Sequence, residues 1–172
     1  MSIKNKNKLH NIQLENSLKK DMINGQNVGI VSEFKYGLCC MGFNGCEVIS
    51  VYNALIYCNK SLPLWKIAFI MEKYRLALGF FGCSPYCFDK LYNTLGLNAV
   101  KVCHFDGISA FIVSFWTKIP FLSSIHTVFC TAEKNGCITV YNCYNNTSSP
   151  SVYRSMDEFI GNRKIISAYF IK

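Results

Sequence analysis

Charged residues are scarce in this chain: they make up 16% of its 172 residues, whereas hydrophobic residues make up 51%. Disordered chains show the opposite balance, so the composition favours a compact globule with a substantial core. The formal charge is +8, but five of the 18 basic residues lie within the first 20 positions. Beyond residue 30 the basic residues form no block, which argues against a nucleic-acid-binding surface.

No run of about 18 apolar residues is present, so no membrane-spanning helix is expected. The N-terminal residues are polar and lack the apolar core of a signal peptide. We therefore expect a cytoplasmic protein whose ten cysteines do not form a disulfide framework. No Cys-x-x-C pair occurs, and no Cys or His pair completes a zinc site, so a redox or metal-binding function is disfavoured.

The chain divides into a polar segment and a longer patterned region. Residues 1–35 are predicted to be an arm or a helix, and residues 36–172 are predicted to form a single domain. The spacing of apolar residues predicts helices over residues 46–58, 61–78 and 84–95.

After residue 96 the pattern changes to the alternation that is typical of β-strands. Strands are predicted at residues 99–105, 109–116, 124–132, 137–142 and 165–171, and an earlier short strand at Val28–Lys35. A capping box at Ser155–Glu158 predicts a short helix before the last strand. This order predicts an α+β fold, with N-terminal helices packed on an antiparallel sheet.

Cys46 stands at the predicted start of a helix, after Gly42 and Gly45. The first N–H groups of a helix lack intrahelical partners and carry the positive end of its dipole. Both effects favour a thiolate over a thiol, so Cys46 is a candidate nucleophile. Glu47, in the same turn, would oppose a thiolate, and we assign it no catalytic role.

A base for this cysteine is predicted in the hairpin that follows. His126 lies in a strand, and Asn135-Gly136 predict a tight turn into the strand that ends at Asn142. An Asn that bonds one ring nitrogen of a His fixes the tautomer and leaves the other nitrogen for the thiol. Cys46, His126 and Asn142 are therefore a candidate Cys–His–Asn set.

Alternatives to this set remain. His104 is a rival base, because Asp106 follows it closely and could orient its ring. Asn145 and Asn146 are rivals of Asn142, although both fall in a predicted loop, where Asn is common. Cys46 is also interpretable as a small buried apolar residue.

The order of these motifs resembles that of papain-like cysteine peptidases, above all the C39-like family and its small proteins of clostridial type. In that family a Gly-Cys opens a helix, and a His-x-Val strand is followed by a hairpin partner ending in Asp or Asn. The resemblance implies a papain-like fold, a Cys46–His126–Asn142 triad and a peptide or protein substrate. It covers about residues 36–172 and rests on Gly45-Cys46, Tyr52–Leu55, Phe81-Gly82, Ile112–Trp116, His126, Tyr141–Asn145 and Ile165–Ile171.

The chain departs from the family pattern at one point. Such peptidases usually carry a Gln shortly before the Cys as an oxyanion donor, whereas this region reads Cys39-Cys40-Met41. Asn44 is the nearest side-chain amide and the candidate replacement. Two functions therefore stay open: a cysteine peptidase or related thiol hydrolase, and an inactive pseudo-peptidase that binds a peptide or protein partner. No cofactor and no metal is expected for either.

Overall fold

The computed structural model describes residues 1–105, 107, 109–119 and 122–172. In these residues the chain combines α-helices with an antiparallel sheet, as predicted. The helices are α1 (Ile3–Glu15), α2 (Met41–Asn44), α3 (Cys46–Tyr57), α4 (Leu64–Met71), α5 (Phe88–Leu95) and α6 (Met156–Ile160). The strands are β1 (Lys35–Tyr36), β2 (Cys39–Cys40), β3 (Ala99–Lys101), β4 (Ala110–Ile119), β5 (Leu122–Ala132), β6 (Ile138–Tyr141), β7 (Ser151–Tyr153) and β8 (Lys164–Ile171).

Six strands form the main sheet in the order β3-β8-β4-β5-β6-β7, and every neighbouring pair is antiparallel. The longest pair is β4 with β5, in register from Ala110 opposite Thr131 to Ile119 opposite Leu122. β6 pairs with β5 only from Phe129 onwards, so the preceding part of β5 has no β6 partner. β1 and β2 form a separate two-stranded sheet.

Alternate residues of β5 enter two different hydrophobic clusters. Phe129 packs with α3 and α4 in the larger cluster, which also includes Ile112 and Tyr169. Val128 and Cys130 pack in the second cluster with Phe159 of α6. Because successive strand residues point to opposite faces, the two clusters cover the two faces of the sheet.

The N-terminal segment is bonded to the rest of the chain by buried and half-buried polar side chains. Asn11 of α1 exchanges two hydrogen bonds with the backbone of Lys35, at 2.8 and 2.9 Å. The Glu15 carboxylate accepts the backbone N–H groups of Leu64 and Trp65 at 3.0 and 3.1 Å. Glu15 therefore caps the positive end of α4, as expected for a carboxylate at a helix N-terminus.

The structure corrects several predicted elements. Val28–Lys35 is not a strand: Gly29–Glu33 form a 3-10 helix that begins at Gly29, where φ is +56°. The helix predicted to run to residue 78 ends at Met71, and 3-10 turns follow. β7 was not predicted at all. No helix in the described part of the chain is long and apolar enough to cross a membrane.

Candidate functional site

Cys46 is the first residue of α3 and is held against β5. The Ser50 hydroxyl shares its one proton between the carbonyl oxygens of Cys46 and Thr127, at 2.8 and 3.0 Å. These bonds fix the first turn of the helix to the part of β5 that has no β6 partner. A Cβ at Gly45 would lie 2.6 Å from the Met41 carbonyl oxygen, so a glycine is required for this close approach.

The Cys46 thiol is buried, with 6% of the residue exposed, and it faces a carboxyl group. Its Sγ donates to Glu47 Oε2 at 3.1 Å. Burial raises the pKa of the thiol well above its usual value, and the Glu47 charge raises it further, although hydrogen bonds from the backbone of Thr127 and Glu47 act in the opposite direction. The thiolate that the helix N-terminus was expected to favour is therefore not the resting state.

Glu47 is the second residue of α3 and only 3% exposed. Burial raises the pKa of its carboxyl group to about 7, even though the Cys46 thiol and backbone groups of Glu47 and Cys83 bond the carboxylate. A Cβ at Gly82 would lie 2.8 Å from Glu47 Oε2, so the loop backbone covers the carboxyl group closely. We assigned Glu47 no catalytic role from the sequence, and its bond to the Cys46 thiol was not predicted. The available signal was a single charged residue within an otherwise apolar and polar-neutral helix.

His126 lies in β5 and is 8% exposed. Its Nε2 atom is 2.7 Å from the carbonyl oxygen of Asn142. A carbonyl only accepts, so Nε2 carries the proton and Nδ1 is the basic atom of the neutral ring. Burial lowers the pKa of His126 and the nearby Arg163 charge lowers it further, while the bond to Asn142 raises it.

Cys46 lies against the stretch of β5 that contains His126, but the two side chains do not hydrogen-bond to each other. The thiol faces the backbone of Thr127, the residue after His126. The imidazole ring lies edge-on to Phe115, with ring centroids 5.8 Å apart, on the face of the sheet that carries Val128. The predicted Cys–His pair is thus brought to adjacent positions without direct contact.

Asn142 orients His126 in a way that the sequence did not predict. Its backbone carbonyl, not its side chain, accepts the ring N–H. The side chain instead bonds Gln26: Oδ1 accepts from the Gln26 backbone N–H at 2.8 Å, and Nδ2 donates to Gln26 Oε1 at 3.3 Å. Asn142 has φ +59°, a conformation that Asn tolerates better than most residues.

Gln26 is a functional candidate that sequence reasoning missed. It is 2% exposed, and its side-chain amide donates to the Gly42 carbonyl at 3.1 Å, just before α3. Its position in the polar N-terminal segment gave no signal of burial. Only the fold brings it between Asn142 and the approach to Cys46.

Asn44 is not placed as an oxyanion donor. Its Nδ2 atom donates to the carbonyl oxygens of Tyr36, at 3.0 Å, and Gly79. Both N–H groups of the amide are therefore used to hold two backbone segments together. Its Oδ1 atom is buried and has no hydrogen-bond partner among the described residues.

The rival residues form no hydrogen bond with the His126 side chain in the described structure. His104 is exposed, and Asp106, its predicted partner, lies outside the described residues. Asn145 and Asn146 are exposed and bond Asn27 through a backbone carbonyl and a side-chain oxygen, respectively. No three His, Cys, Asp or Glu residues in the described ranges come together as a metal site.

A cleft of about 770 Å³ opens beside His126 on the face of the sheet opposite α3. Aromatic walls are supplied by Phe115, Trp116 and Tyr144, and positive charge by Arg163 and Lys164. Trp116 and Tyr144 are 41% and 55% exposed. Cys46 does not line this cleft.

Sequence comparison finds no family model and no curated protein that matches this chain.

Proposed function

We propose that the chain is a thiol hydrolase with a papain-like fold that cleaves a peptide or amide bond, with Cys46 as nucleophile and His126 as base. The observation that carries this proposal is the bond from His126 Nε2 to the Asn142 carbonyl. This bond leaves Nδ1 as the basic atom of the His126 ring. The next residue in the chain, Thr127, is the one whose backbone faces the Cys46 thiol. The resemblance of the motif order to C39-like peptidases supports the same assignment.

In the proposed reaction the Cys46 side chain turns from Glu47 to His126. The thiol proton passes to His126 Nδ1 as sulfur attacks the carbonyl carbon, and a tetrahedral oxyanion forms. Nδ1 then returns the proton to the leaving amine, so the C–N bond breaks and an acyl-Cys46 remains. Water attacks this thioester with His126 again as base, which releases the acid and restores the thiol.

The oxyanion in this scheme is stabilised by the backbone N–H of Cys46 and by a side-chain amide. Gln26 is a better candidate than Asn44. Its side-chain NH2 group donates one hydrogen bond, to the Gly42 carbonyl, whereas both N–H groups of Asn44 are used. Loss of one such donor typically slows acyl transfer by about 10²–10³-fold.

The alternative is a binding protein on the same fold, and one observation favours it. The Cys46 thiol is buried, protonated and bonded to Glu47 rather than to His126. A site locked in this state would bind a peptide without cleaving it.

An acyl-transfer test separates the two functions. We expect the full chain, incubated with p-nitrophenyl acetate, to gain one acetyl group on Cys46, detected by intact mass and peptide mapping. Cys46→Ser and His126→Gln should each lose this labelling, while Cys130→Ser, which alters another buried thiol, should keep it. Acetylation that ignores His126, or that spares Cys46, would reject the hydrolase.

A further inference from the structure

The cleft beside His126 contains a guanidinium group that is fixed in place. Arg163 donates to the Phe159 carbonyl and, at 3.4 Å, to the Tyr153 hydroxyl. The guanidinium group also lies over three aromatic rings: its carbon is 5.4, 5.0 and 5.8 Å from the centroids of Phe115, Phe159 and Tyr153. These contacts hold the side chain in one orientation before any ligand arrives.

The positive charge of Arg163 is not neutralised within the described structure. No carboxylate of the described residues lies within ion-pairing distance of it. No Asp or Glu is among the described residues that line the cleft, whereas Lys164 adds a second cation. An arginine has five N–H donors, and the bonds to Phe159 and Tyr153 leave other donors for a ligand.

The cleft is therefore lined by both cationic and aromatic side chains. Trp116 and Tyr144 present large exposed ring surfaces, which bind apolar side chains. A ligand that fits both features carries a carboxylate next to an apolar group. Because the guanidinium is already oriented, a carboxylate loses little entropy in binding to it.

We propose that this cleft is a substrate subsite that binds a peptide carboxylate through Arg163, with a neighbouring apolar side chain against Trp116 and Tyr144. The proposal deepens the proposed hydrolase function, since it names the class of peptide that the enzyme would select. Binding itself does not depend on catalysis, so the two can fail separately.

Binding at Arg163 also affects the candidate base. Arg163 is close enough to lower the pKa of His126. A carboxylate on Arg163 offsets this charge, so the His126 pKa rises when the peptide binds. Substrate would thereby make the imidazole a stronger base when it is needed.

The test compares four probes of equal length: Ac-Gly-Phe-Glu-Gly-NH2, the Gln and Lys analogues of that peptide, and the Gln analogue with a free C-terminus. Affinities are measured by calorimetry on the full chain at low ionic strength, where charge effects are least screened. We expect the Glu peptide to bind about tenfold more tightly than the Gln amide, and the Lys peptide more weakly than both. If the Gln peptide with a free C-terminus binds more tightly than the Gln amide, a C-terminal carboxylate also serves as the ligand of Arg163.

The variants locate the effect. Arg163→Gln should abolish the preference for the Glu peptide, and Arg163→Lys should retain part of it, because lysine keeps the charge without the fork. Arg154→Gln, which removes an exposed arginine outside the cleft lining, should leave the preference unchanged. Titration of the His126 ring by NMR should show an upward midpoint shift with the Glu peptide in the wild-type chain only.

Equal binding of the Glu and Gln amides, no saturable binding of any carboxylate probe, or a preference that survives Arg163→Gln would overturn the subsite. Carboxylate-selective binding without cleavage of the bound peptide would leave the subsite standing and count against the hydrolase.

Discussion

The Cys46 thiol donates its hydrogen bond to Glu47, the next residue in the chain, at 3.1 Å. The backbone of Thr127 in β5 faces this thiol. The preceding residue, His126, donates its Nε2 proton to the Asn142 carbonyl. In the proposed reaction His126 replaces Glu47 as the acceptor of the thiol proton, so the thiol must turn away from Glu47 before it can react.

Replacement of Glu47 by Gln should make Cys46 more reactive. The amide keeps an acceptor for the backbone but removes the charge that helps to raise the pKa of the thiol. The weaker bond also frees the thiol to turn to His126. We expect iodoacetamide labelling of Cys46 at pH 7 to speed up about three- to tenfold. Glu33→Gln, at an exposed carboxylate, should have no effect, and unchanged labelling in Glu47→Gln would show that Glu47 does not hold the thiol.

Glu47 should also give stability an unusual pH dependence. Its carboxyl pKa is about 7 in the folded chain and 4.5 in the reference state, so the folded chain binds the proton more tightly. The free energy of unfolding should therefore fall as pH rises from about 4.5 to about 7, by on the order of 3 kcal/mol, and then level off. Urea denaturation of wild type and Glu47→Gln measures this directly. The difference between their free energies of unfolding should change between about pH 4.5 and about pH 7. A constant difference over this range would contradict the raised pKa of Glu47.

His126 should act in the opposite direction. Its pKa is lowered from 6.5 by burial, so the folded chain binds this proton more weakly than the unfolded chain. The stability contributed by the neutral ring is present above pH 6.5 and is lost as pH falls through the lower folded pKa. NMR of the ring protons should give a midpoint below 6.5, with His126→Gln used to assign the signal. A midpoint at or above 6.5 would show that the ring is not buried as described.

Substitution of Asn142 should affect stability more than the orientation of His126. Asn142→Ala leaves the Gln26 backbone N–H and side-chain oxygen without partners in a buried site, at a cost of about 2–3 kcal/mol. The bond to His126 remains, because it comes from the backbone carbonyl. Asn142→Gly, which tolerates the φ of +59°, separates backbone strain from the lost bonds.

For Asn142, the measurements are chemical denaturation and the His126 ring titration. Both variants should be destabilised, the glycine variant less, and both should keep the wild-type ring midpoint. A large change in that midpoint would mean that the side chain, as predicted from the sequence, orients the ring after all.

Local patterns predicted the elements that carry the site. The apolar spacing after Cys46 and the alternation around His126 depend on neighbouring residues alone, and both elements are present as α3 and β5. The prediction that the second helix extends to Leu78 was wrong because of a long-range contact. Leu78 has φ +58° and its carbonyl accepts the N–H of Leu38, which no local pattern reveals.

The chemistry of the site was harder to predict than its position. Gln26 and Asn142 are 116 positions apart, and their bonds arise only when the polar N-terminal segment folds onto the end of β6. The protonated state of Cys46 depends first on the burial of its own thiol and then on the charge of Glu47, which lies beneath the backbone of Gly82. Helix-dipole reasoning from the sequence favoured the thiolate because it could not include that desolvation.

The pairing of Cys46 with His126 is tested most directly by the pH dependence of Cys46 alkylation. Iodoacetamide rates are followed site by site in wild type and His126→Gln, with buried Cys130 as the internal reference. We predict that wild-type Cys46, in the fraction of molecules whose thiol has turned from Glu47 to His126, reacts at neutral pH with an inflection that follows the His126 titration, and that His126→Gln loses this phase. If Cys46 reacts only above the ordinary thiol pKa of about 8.5 in both proteins, the thiol does not pair with His126, and the binding function replaces the hydrolase.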